Sequence, residues 1–177
     1  MDGTHNSQID PEFQLREQAR RNEFTPIWQE TLDAVFADVA PYYDFASDVA
    51  SLGLCSRWRR HFSTSVEVGS GDRVLDVCAG TNGVGIELLK RQPDLNVSAI
   101  DRSAAMQQEG GRRAEAKGFK IDSHIGDVHS LPFPDASFDV VTLQFASRHL
   151  RIVDVFSEVR RVLRPGGAFY HSDMLKP

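Results

Sequence analysis

The chain has 177 residues, of which 41% are hydrophobic, and its formal net charge is −5. This is enough apolar material for one buried core, and the acidic balance gives no general support for nucleic-acid binding. The sequence contains no run of apolar residues long enough to span a membrane, and its two cysteines, Cys55 and Cys78, lack the close spacing of a metal site.

The N-terminal part of the chain is predicted to be helical. The polar start Met1–Gln8 shows neither a signal-peptide nor a transit-peptide composition, which favours a cytoplasmic location. Short amphipathic helices are predicted over Phe13–Arg21 and from Pro26 to about Asp38, and Ser56 is placed to cap a third helix through Phe62.

A local cluster of positive charge falls within the third predicted helix. Its members are Arg57, Arg59, Arg60 and His61. Since charged residues most often form the solvated face of a helix, and the whole chain is acidic, we interpret the cluster as such a face rather than as a nucleic-acid site.

From Arg73 onward, predicted strands alternate with predicted helices. The strands lie near 73–78, 96–101, 119–125, 138–144 and 167–174, and the helices near 83–91, 103–117 and 152–163. This alternation predicts a parallel sheet with right-handed crossovers, so the expected fold is α/β and doubly wound, with strand order 3-2-1-4-5. We divide the single domain into a flexible or helical extension (1–25), lid helices (26–66) and a core (67–177).

The segment Val74–Gly85 is typical of a buried strand that runs through a glycine-rich turn into a helix. Its glycines follow the pattern G-x-x-G-x-G behind Asp76, whereas a dinucleotide fingerprint is G-x-G-x-x-G. A carboxylate at the mouth of the loop repels a pyrophosphate but attracts an ammonium or sulfonium group. S-adenosylmethionine carries both groups, so it is the predicted cofactor.

Two further acids end predicted strands. Asp101 follows the second strand, at about the distance in sequence where an acid holds the ribose hydroxyls of an adenosine cofactor. Asp127 follows the third strand and can accept a hydrogen bond from the adenine amine. Because the carboxyl ends of parallel strands share one edge, we expect these acids to meet Asp76 there. The competing interpretation is that Asp76 and Asp101 only cap the turn and the helix that follow them.

These segments resemble a known family. From Asp33 to Pro165 the chain resembles the class I S-adenosylmethionine-dependent methyltransferases, and within them the branch that C-methylates the rings of ubiquinone and menaquinone precursors. Beside the glycine loop, the segments similar to the superfamily are Asp101 with Ser103 and Met106, Gly126–Phe133, Ser137–Thr142 and Glu158–Gly167. Those that indicate the branch are Val35–Asp44, Ser51–Leu54, Trp58-Arg59 and Phe145–His149.

The resemblance implies a Rossmann-like core, methyltransferase activity, a small-molecule methyl acceptor and a peripheral contact with a lipophilic substrate. It implies no metal and no nucleic-acid partner. The cofactor-binding residues that it implies are Tyr43, Asp76, Cys78, Ala79, Gly80, Asn82, Asp101, Arg102, Met106, Gly126, Asp127, Val128 and Gln144. Either Tyr42 or Tyr43 could form an aromatic lid over the sulfonium; the competing interpretation is that both are ordinary packing residues.

The candidate catalytic pair is Arg148 and His149, just beyond the fourth strand. Transfer to a quinol-type ring carbon requires the adjacent hydroxyl to lose its proton, so arginine would stabilise the oxyanion and histidine would act as the base. The competing interpretation places both side chains on a solvated loop.

Three departures from the family pattern leave alternatives open. Cys78 and Asn82 stand where the family usually has a small residue or glycine, although asparagine tolerates the left-handed conformation. The branch usually has Arg-Asn at Arg148-His149, so a small-molecule O- or N-methyltransferase is one alternative. The chain stops at Pro177, before the sixth and seventh strands of the fold, so a non-catalytic, truncated cofactor-binding domain is another.

The same C-terminal pattern predicts self-association. Without its usual flanking strands, segment 168–174 becomes an edge strand that carries Phe169, Tyr170 and Met174 and has no lysine or proline to block pairing. We therefore expect a second chain to pair along this edge.

Overall fold

The computed structural model describes Leu15, Gln18, Val35, Phe36 and residues 38–173. The predicted helix Phe13–Arg21, most of the predicted helix Pro26–Asp38 and the boundary placed at residue 25 lie outside the described residues.

The described helices are α1 (Tyr43–Ala50), α2 (Leu54–Ser65), α3 (Gly83–Arg91), α4 (Ala104–Glu115) and α5 (Ile152–Val162), with short 3-10 helices at Ala40–Tyr42 and Ser147–His149. The strands are β1 (Arg73–Val77), β2 (Asn96–Asp101), β3 (Asp122–Ile125), β4 (Phe138–Gln144) and β5 (Leu163–Ser172). No helix in this described part of the chain is both long and apolar enough to cross a membrane.

The strands form one parallel sheet in the order β3-β2-β1-β4-β5. Strand β1 lies at its centre, with Asp76 opposite Ala99 of β2 and Thr142 of β4. The prediction of a doubly wound α/β fold with order 3-2-1-4-5 is thus confirmed.

Helices cover both faces of the sheet, which is why β1 and β4 are almost continuously buried. On one face, α5 packs Val155, Val159 and Val162 into a buried cluster with residues of β1 and β4. On the other face, α2 and α3 supply Phe62 and Leu88 to a second cluster. The two layers hold the carboxyl ends of the strands in a fixed arrangement.

Several element boundaries differ from the prediction: β3 begins at Asp122 rather than near residue 119, and both α2 and β5 begin earlier than expected. Helix α2 begins at Leu54 rather than after Ser56, because Gly53 takes a φ of 80° and turns the chain into the helix. The backbone N–H of Ser56 donates instead to Asp48 Oδ1 at 2.9 Å. Strand β5 begins at Leu163, and its register shifts beside β4 where Gly166 has a φ of 79°.

Candidate functional site

The carboxyl ends of β1, β2 and β4 open into a cavity of about 220 Å³. This is the edge of a doubly wound sheet where ligands bind. Every predicted site residue except Asn82 lines the cavity, including the candidate catalytic pair Arg148 and His149.

The loop between β1 and α3 contains three residues with left-handed backbone. Cys78, Gly80 and Asn82 have φ values of 55°, 52° and 58°. This conformation costs a residue with a Cβ atom about 1–2 kcal/mol, which is why glycine suits such positions. Burial raises the pKa of the Cys78 thiol, and the nearby Asp101 and Asp76 charges raise it further. Cys78 is therefore a packing residue of the cavity wall and not a thiolate.

Asn82 is buried and turned away from the cavity. Its Nδ2 donates to Ser123 Oγ at 3.2 Å, and its Oδ1 accepts from Gln107 Nε2 at 3.0 Å. It therefore supports the loop from behind, through β3 and α4, rather than lining the site.

Asp76 is 2% exposed at the centre of the sheet. Its Oδ1 accepts a 2.7 Å hydrogen bond from Thr142 Oγ1, whereas its Oδ2 has no hydrogen-bond partner among the described residues. Burial raises the pKa of Asp76 to about 7 against the opposing effects of the Thr142 hydroxyl and the Gly85 backbone N–H. Gln144 Nε2, also in the cavity wall, is a second buried polar atom without a partner in the described chain. The buried Asp76 Oδ2 favours a ligand that brings a hydrogen-bond donor or a positive charge.

Asp101 ends β2 and holds the backbone around the cavity. Its Oδ2 accepts from Gly80 N at 2.8 Å and its Oδ1 from Ser103 N at 2.9 Å. The cap of α4 is instead Ser103, which accepts from Met106 N. These two bonds fix the direction of the Asp101 carboxylate in the cavity wall.

Asp127 is linked to the loop before α5 through His129. The Arg151 backbone N–H donates to His129 Nε2 at 3.1 Å, so this nitrogen carries no proton, and His129 Nδ1 donates to Asp127 Oδ1 at 2.6 Å. Partial burial raises the pKa of Asp127, but the hydrogen bonds from the His129 backbone and ring outweigh it and bring the pKa below its usual value.

Helix α1 borders the cavity through Tyr43, and Asp44 of the same helix fastens it to its neighbours. Asp44 Oδ1 accepts from Arg59 Nη2 at 2.7 Å, and Oδ2 accepts from Thr81 Oγ1 at 2.8 Å and pairs with Arg113. One carboxylate thus joins α1 to α2, to the glycine loop and to α4. The neighbouring Tyr43 lines the cavity, and burial raises its pKa, with the Asp44 charge acting in the same direction.

The interpretation of the basic cluster as a solvated helix face is correct for Arg57, Arg60 and His61, which are exposed, and wrong for Arg59. The Arg59 side chain is 17% exposed and lies in the cavity wall. Its Nε would be 2.6 Å from a Cβ atom at Gly83, so glycine is what lets the guanidinium lie against the loop. The reason is Asp44, which pairs with Arg59 from another helix.

Arg148 and His149 form the short 3-10 helix after β4, together with Ser147. Arg148 Nε donates to His149 Nε2 at 3.1 Å. Partial burial lowers the pKa of His149, and the Arg148 charge lowers it further, while Asp173 opposes both. The imidazole is therefore neutral at pH 7, as a base must be.

Comparisons with known proteins identify the family of the chain. The model of the ubiE/COQ5 methyltransferase family matches residues 25–177. The chain belongs to this family. The family prediction made from the sequence is thus confirmed.

Two curated relatives show how far the likeness extends. The chain is 37% identical over 139 residues to the ubiquinone/menaquinone biosynthesis C-methyltransferase of Dinoroseobacter shibae, covering 77% of this chain and 56% of the relative. It is 41% identical over 145 residues to the demethylmenaquinone methyltransferase of Renibacterium salmoninarum, covering 81% and 59%. The chain thus spans little more than half the length of these ubiE/COQ5 relatives.

Solved structures support the same fold. The YcgJ protein of Bacillus subtilis is 30% identical with a TM-score of 0.59, over 65% of this chain and 49% of that one. A geranyl diphosphate methyltransferase, solved with S-adenosylmethionine, is 26% identical with a TM-score of 0.62, over 66% and 48%.

Several cavity residues of this ubiE/COQ5 member are absent from the sequence prediction. They are Phe36, Arg59, Thr81, Gly83, Val84, Ser103, His129, Phe145, Ala146 and Leu150. Some are direct neighbours of predicted residues, so a wider window around each strand end would have included Thr81, Ser103 and Phe145. Arg59 and Phe36 come from the N-terminal region, where helical periodicity says nothing about a cavity beside the sheet.

Proposed function

We propose that the chain binds S-adenosylmethionine and transfers its methyl group to a small-molecule acceptor. The proposed acceptor is a quinol, methylated at a ring carbon. The observation that carries the proposal is the Asp76 carboxylate, with one unpaired buried oxygen in the cavity. Family membership and the names of the curated relatives support the quinol-type acceptor.

The residues around the cavity fit the parts of this cofactor. Asp76 would hold the ammonium group, and Arg59 is placed to neutralise the carboxylate of the same amino-acid end. Asp101 would accept hydrogen bonds from the ribose hydroxyls and Asp127 from the adenine amine. Tyr43 would place an aromatic ring near the sulfonium.

When bound, the cofactor supplies an activated methyl group on a sulfonium. The protein would then align the acceptor and exclude water, and such positioning contributes roughly 7–11 kcal/mol. Arg148 would stabilise the oxyanion that forms on the ring, and His149 would take the hydroxyl proton. Because His149 Nε2 already accepts from Arg148 Nε, the acceptor hydroxyl must displace this bond before the proton moves.

The experiment is a radiolabelled methyl-transfer assay across quinol, phenol and amine acceptors, run beside calorimetry with S-adenosylmethionine and NAD. Transfer to a ring carbon supports the proposal, and transfer to oxygen or nitrogen overturns the acceptor class. Binding without any transfer would indicate a non-catalytic domain. In an active protein, Arg148→Ala and His149→Ala should lower turnover and leave cofactor affinity nearly unchanged.

The outward face of α1 supports a peripheral contact with the membrane that holds a lipophilic acceptor. Phe45 is 74% exposed and Leu52, just beyond the helix, is 92% exposed, whereas Asp44 and Asp48 turn inward to protein partners. The exposed cations nearby on α2 complement anionic headgroups. Flotation with phosphatidylglycerol-containing vesicles should capture the protein and release Phe45→Ser. The matched control Ile125→Ser, at an exposed apolar position on β3, should still bind.

Self-association and a cytoplasmic location also belong to the proposal. Strand β5 is the outer strand of the described sheet, and its faces carry Phe169 against Phe156 and Tyr170 against Glu67 N. Its outer edge would pair with a second copy, and a strict monomer in light scattering at high micromolar concentration would contradict this. Both cysteines, Cys55 and Cys78, are free thiols, which suits a reducing compartment.

A further inference from the structure

Asp173 directly follows β5, and its side chain is 4% exposed. Its Oδ2 accepts from Ser147 N at 2.7 Å and from Ser147 Oγ, and its Oδ1 accepts from Arg148 Nη1 at 3.2 Å. A buried carboxylate thus accepts hydrogen bonds from two successive residues of the 3-10 helix that borders the cavity. Nothing in the sequence pattern marked Asp173, because its partners lie on another loop.

The segment that Asp173 grips has a constrained backbone. Phe145, at its start, has a φ of 59°, which a bulky side chain rarely adopts, and its N–H donates to Ser172 O at 2.9 Å. The end of β5 therefore holds this segment at two points, the Ser172 carbonyl and the Asp173 carboxylate. Such strain persists only where the surroundings fix the chain.

The contact with Arg148 continues to His149. Arg148 Nη1 faces Asp173, and Arg148 Nε donates to His149 Nε2 at 3.1 Å. A guanidinium has no acceptor atom, so Nε2 of His149 must be the unprotonated nitrogen and Nδ1 must carry the proton. The carboxylate, the guanidinium and the imidazole thus form a chain in which the first member sets the direction of the second.

We propose that Asp173 is a positioning residue that aims the Arg148 guanidinium and, through it, holds His149 in the Nδ1–H tautomer with Nε2 as its basic atom. The role of that basic atom in methyl transfer rests on the proposed function, whereas the tautomer itself does not. Asp173 does not touch the acceptor. Asp173 determines which nitrogen of His149 faces the acceptor.

A purely structural role for Asp173 predicts different results from a positioning role. The Ser147 contacts anchor the loop, whereas the Arg148 contact directs the side chain. Asp173→Asn keeps an oxygen for Ser147 but removes the negative charge that orients Arg148. Ser147→Ala removes one anchoring hydroxyl and leaves the carboxylate facing Arg148, so it is the matched control.

The test is ¹⁵N NMR of the His149 ring in the full chain, combined with thermal melting. The wild type and Ser147→Ala should show His149 as one Nδ1–H tautomer, Asp173→Asn should show a mixture, and Asp173→Glu should restore the single form. In an active protein, Asp173→Asn should also lower kcat at least tenfold with cofactor Kd unchanged within twofold.

A single unchanged tautomer in Asp173→Asn, or a mixture already in the wild type, would overturn the proposal. If Asp173→Asn does not fold, the test is a through-hydrogen-bond coupling between Arg148 Nε and His149 Nε2 in the wild type. Absence of this coupling would overturn the proposal. If no acceptor is methylated, the proposed function fails while the tautomer measurements still stand.

Discussion

Thr142 Oγ1 donates a 2.7 Å hydrogen bond to Asp76 Oδ1 across the two central strands, at positions that face each other in the register. This bond gives one of the two buried oxygens of the Asp76 carboxylate a hydrogen-bond partner. The other oxygen, in the part of the chain described by the structure, has no hydrogen-bond partner. Asp76 is thus held in place by one strand and left available to a ligand on its cavity side.

Stability without cofactor should fall as the pH rises from about 4 to about 7. Burial raises the pKa of Asp76 to about 7 in the folded chain, whereas an unfolded aspartate titrates near pH 3.9, so the folded state binds the extra proton in this window. The stability that protonated Asp76 contributes is fully present below the pKa of the unfolded chain. It is lost by the time the pH reaches the pKa of Asp76 in the folded chain. Asp76→Asn should therefore be more stable than wild type at pH 8, by roughly 1–4 kcal/mol, in urea unfolding.

Cofactor affinity should depend on pH in the opposite direction. Binding an ammonium group requires ionised Asp76, so calorimetry should show affinity rising about tenfold per pH unit up to pH 7 and levelling off above it. Asp76→Asn should bind weakly with no such slope. An Asn variant that binds as tightly as wild type at pH 8 would remove Asp76 from the site.

The local elements of this fold can be read from sequence because each depends on neighbouring residues. The apolar run of Val74–Val77, the glycines after it and the helical continuation of α3 appear together in Val74–Gly85, and strands β2 and β4 were predicted at their observed bounds. The parallel order follows from the strand–helix alternation.

The side-chain directions at the site could not be read in this way. Arg59 turns inward because Asp44 lies opposite it on α1, and no periodicity within α2 records that contact. Asn82 shows the same limit, since its left-handed tolerance was visible in the sequence, but its bonds to Gln107 and Ser123 require the packing of α4 and β3. Long-range polar pairs depend on tertiary structure, which the sequence pattern does not specify.

Removing the Asp44 carboxylate should loosen the attachment of α1 to the rest of the fold. Asp44→Ala leaves Arg59 and Arg113 without their shared partner and detaches α1 from Thr81. Since charge-assisted hydrogen bonds contribute roughly 1.5–3 kcal/mol each, we expect cofactor affinity to fall about tenfold or more. Calorimetry measures the loss.

Asp48→Ala is the matched control on the same helix. Asp48 binds Ser56 at the start of α2 and does not line the cavity. It should lower the melting temperature but leave cofactor affinity within about threefold, a free-energy change below roughly 0.7 kcal/mol. Equal losses of affinity in the two variants would show that Asp44 acts only through the stability of α1.

Two adjacent glycines in α4 should respond oppositely to alanine. A Cβ atom at Gly111 meets nothing within 4 Å, so Gly111→Ala should stabilise the protein by roughly 0.5–1 kcal/mol through helix propensity. A Cβ atom at Gly110 would lie 2.7 Å from Asn82 Cγ and 2.8 Å from the Thr81 carbonyl carbon, which is backbone. Gly110→Ala should therefore push the glycine loop away from α4, cost roughly 1–3 kcal/mol and weaken cofactor binding. Thermal melts and calorimetry on the pair check this, and a stabilised Gly110→Ala with normal affinity would show that the close approach of α4 does not set the loop.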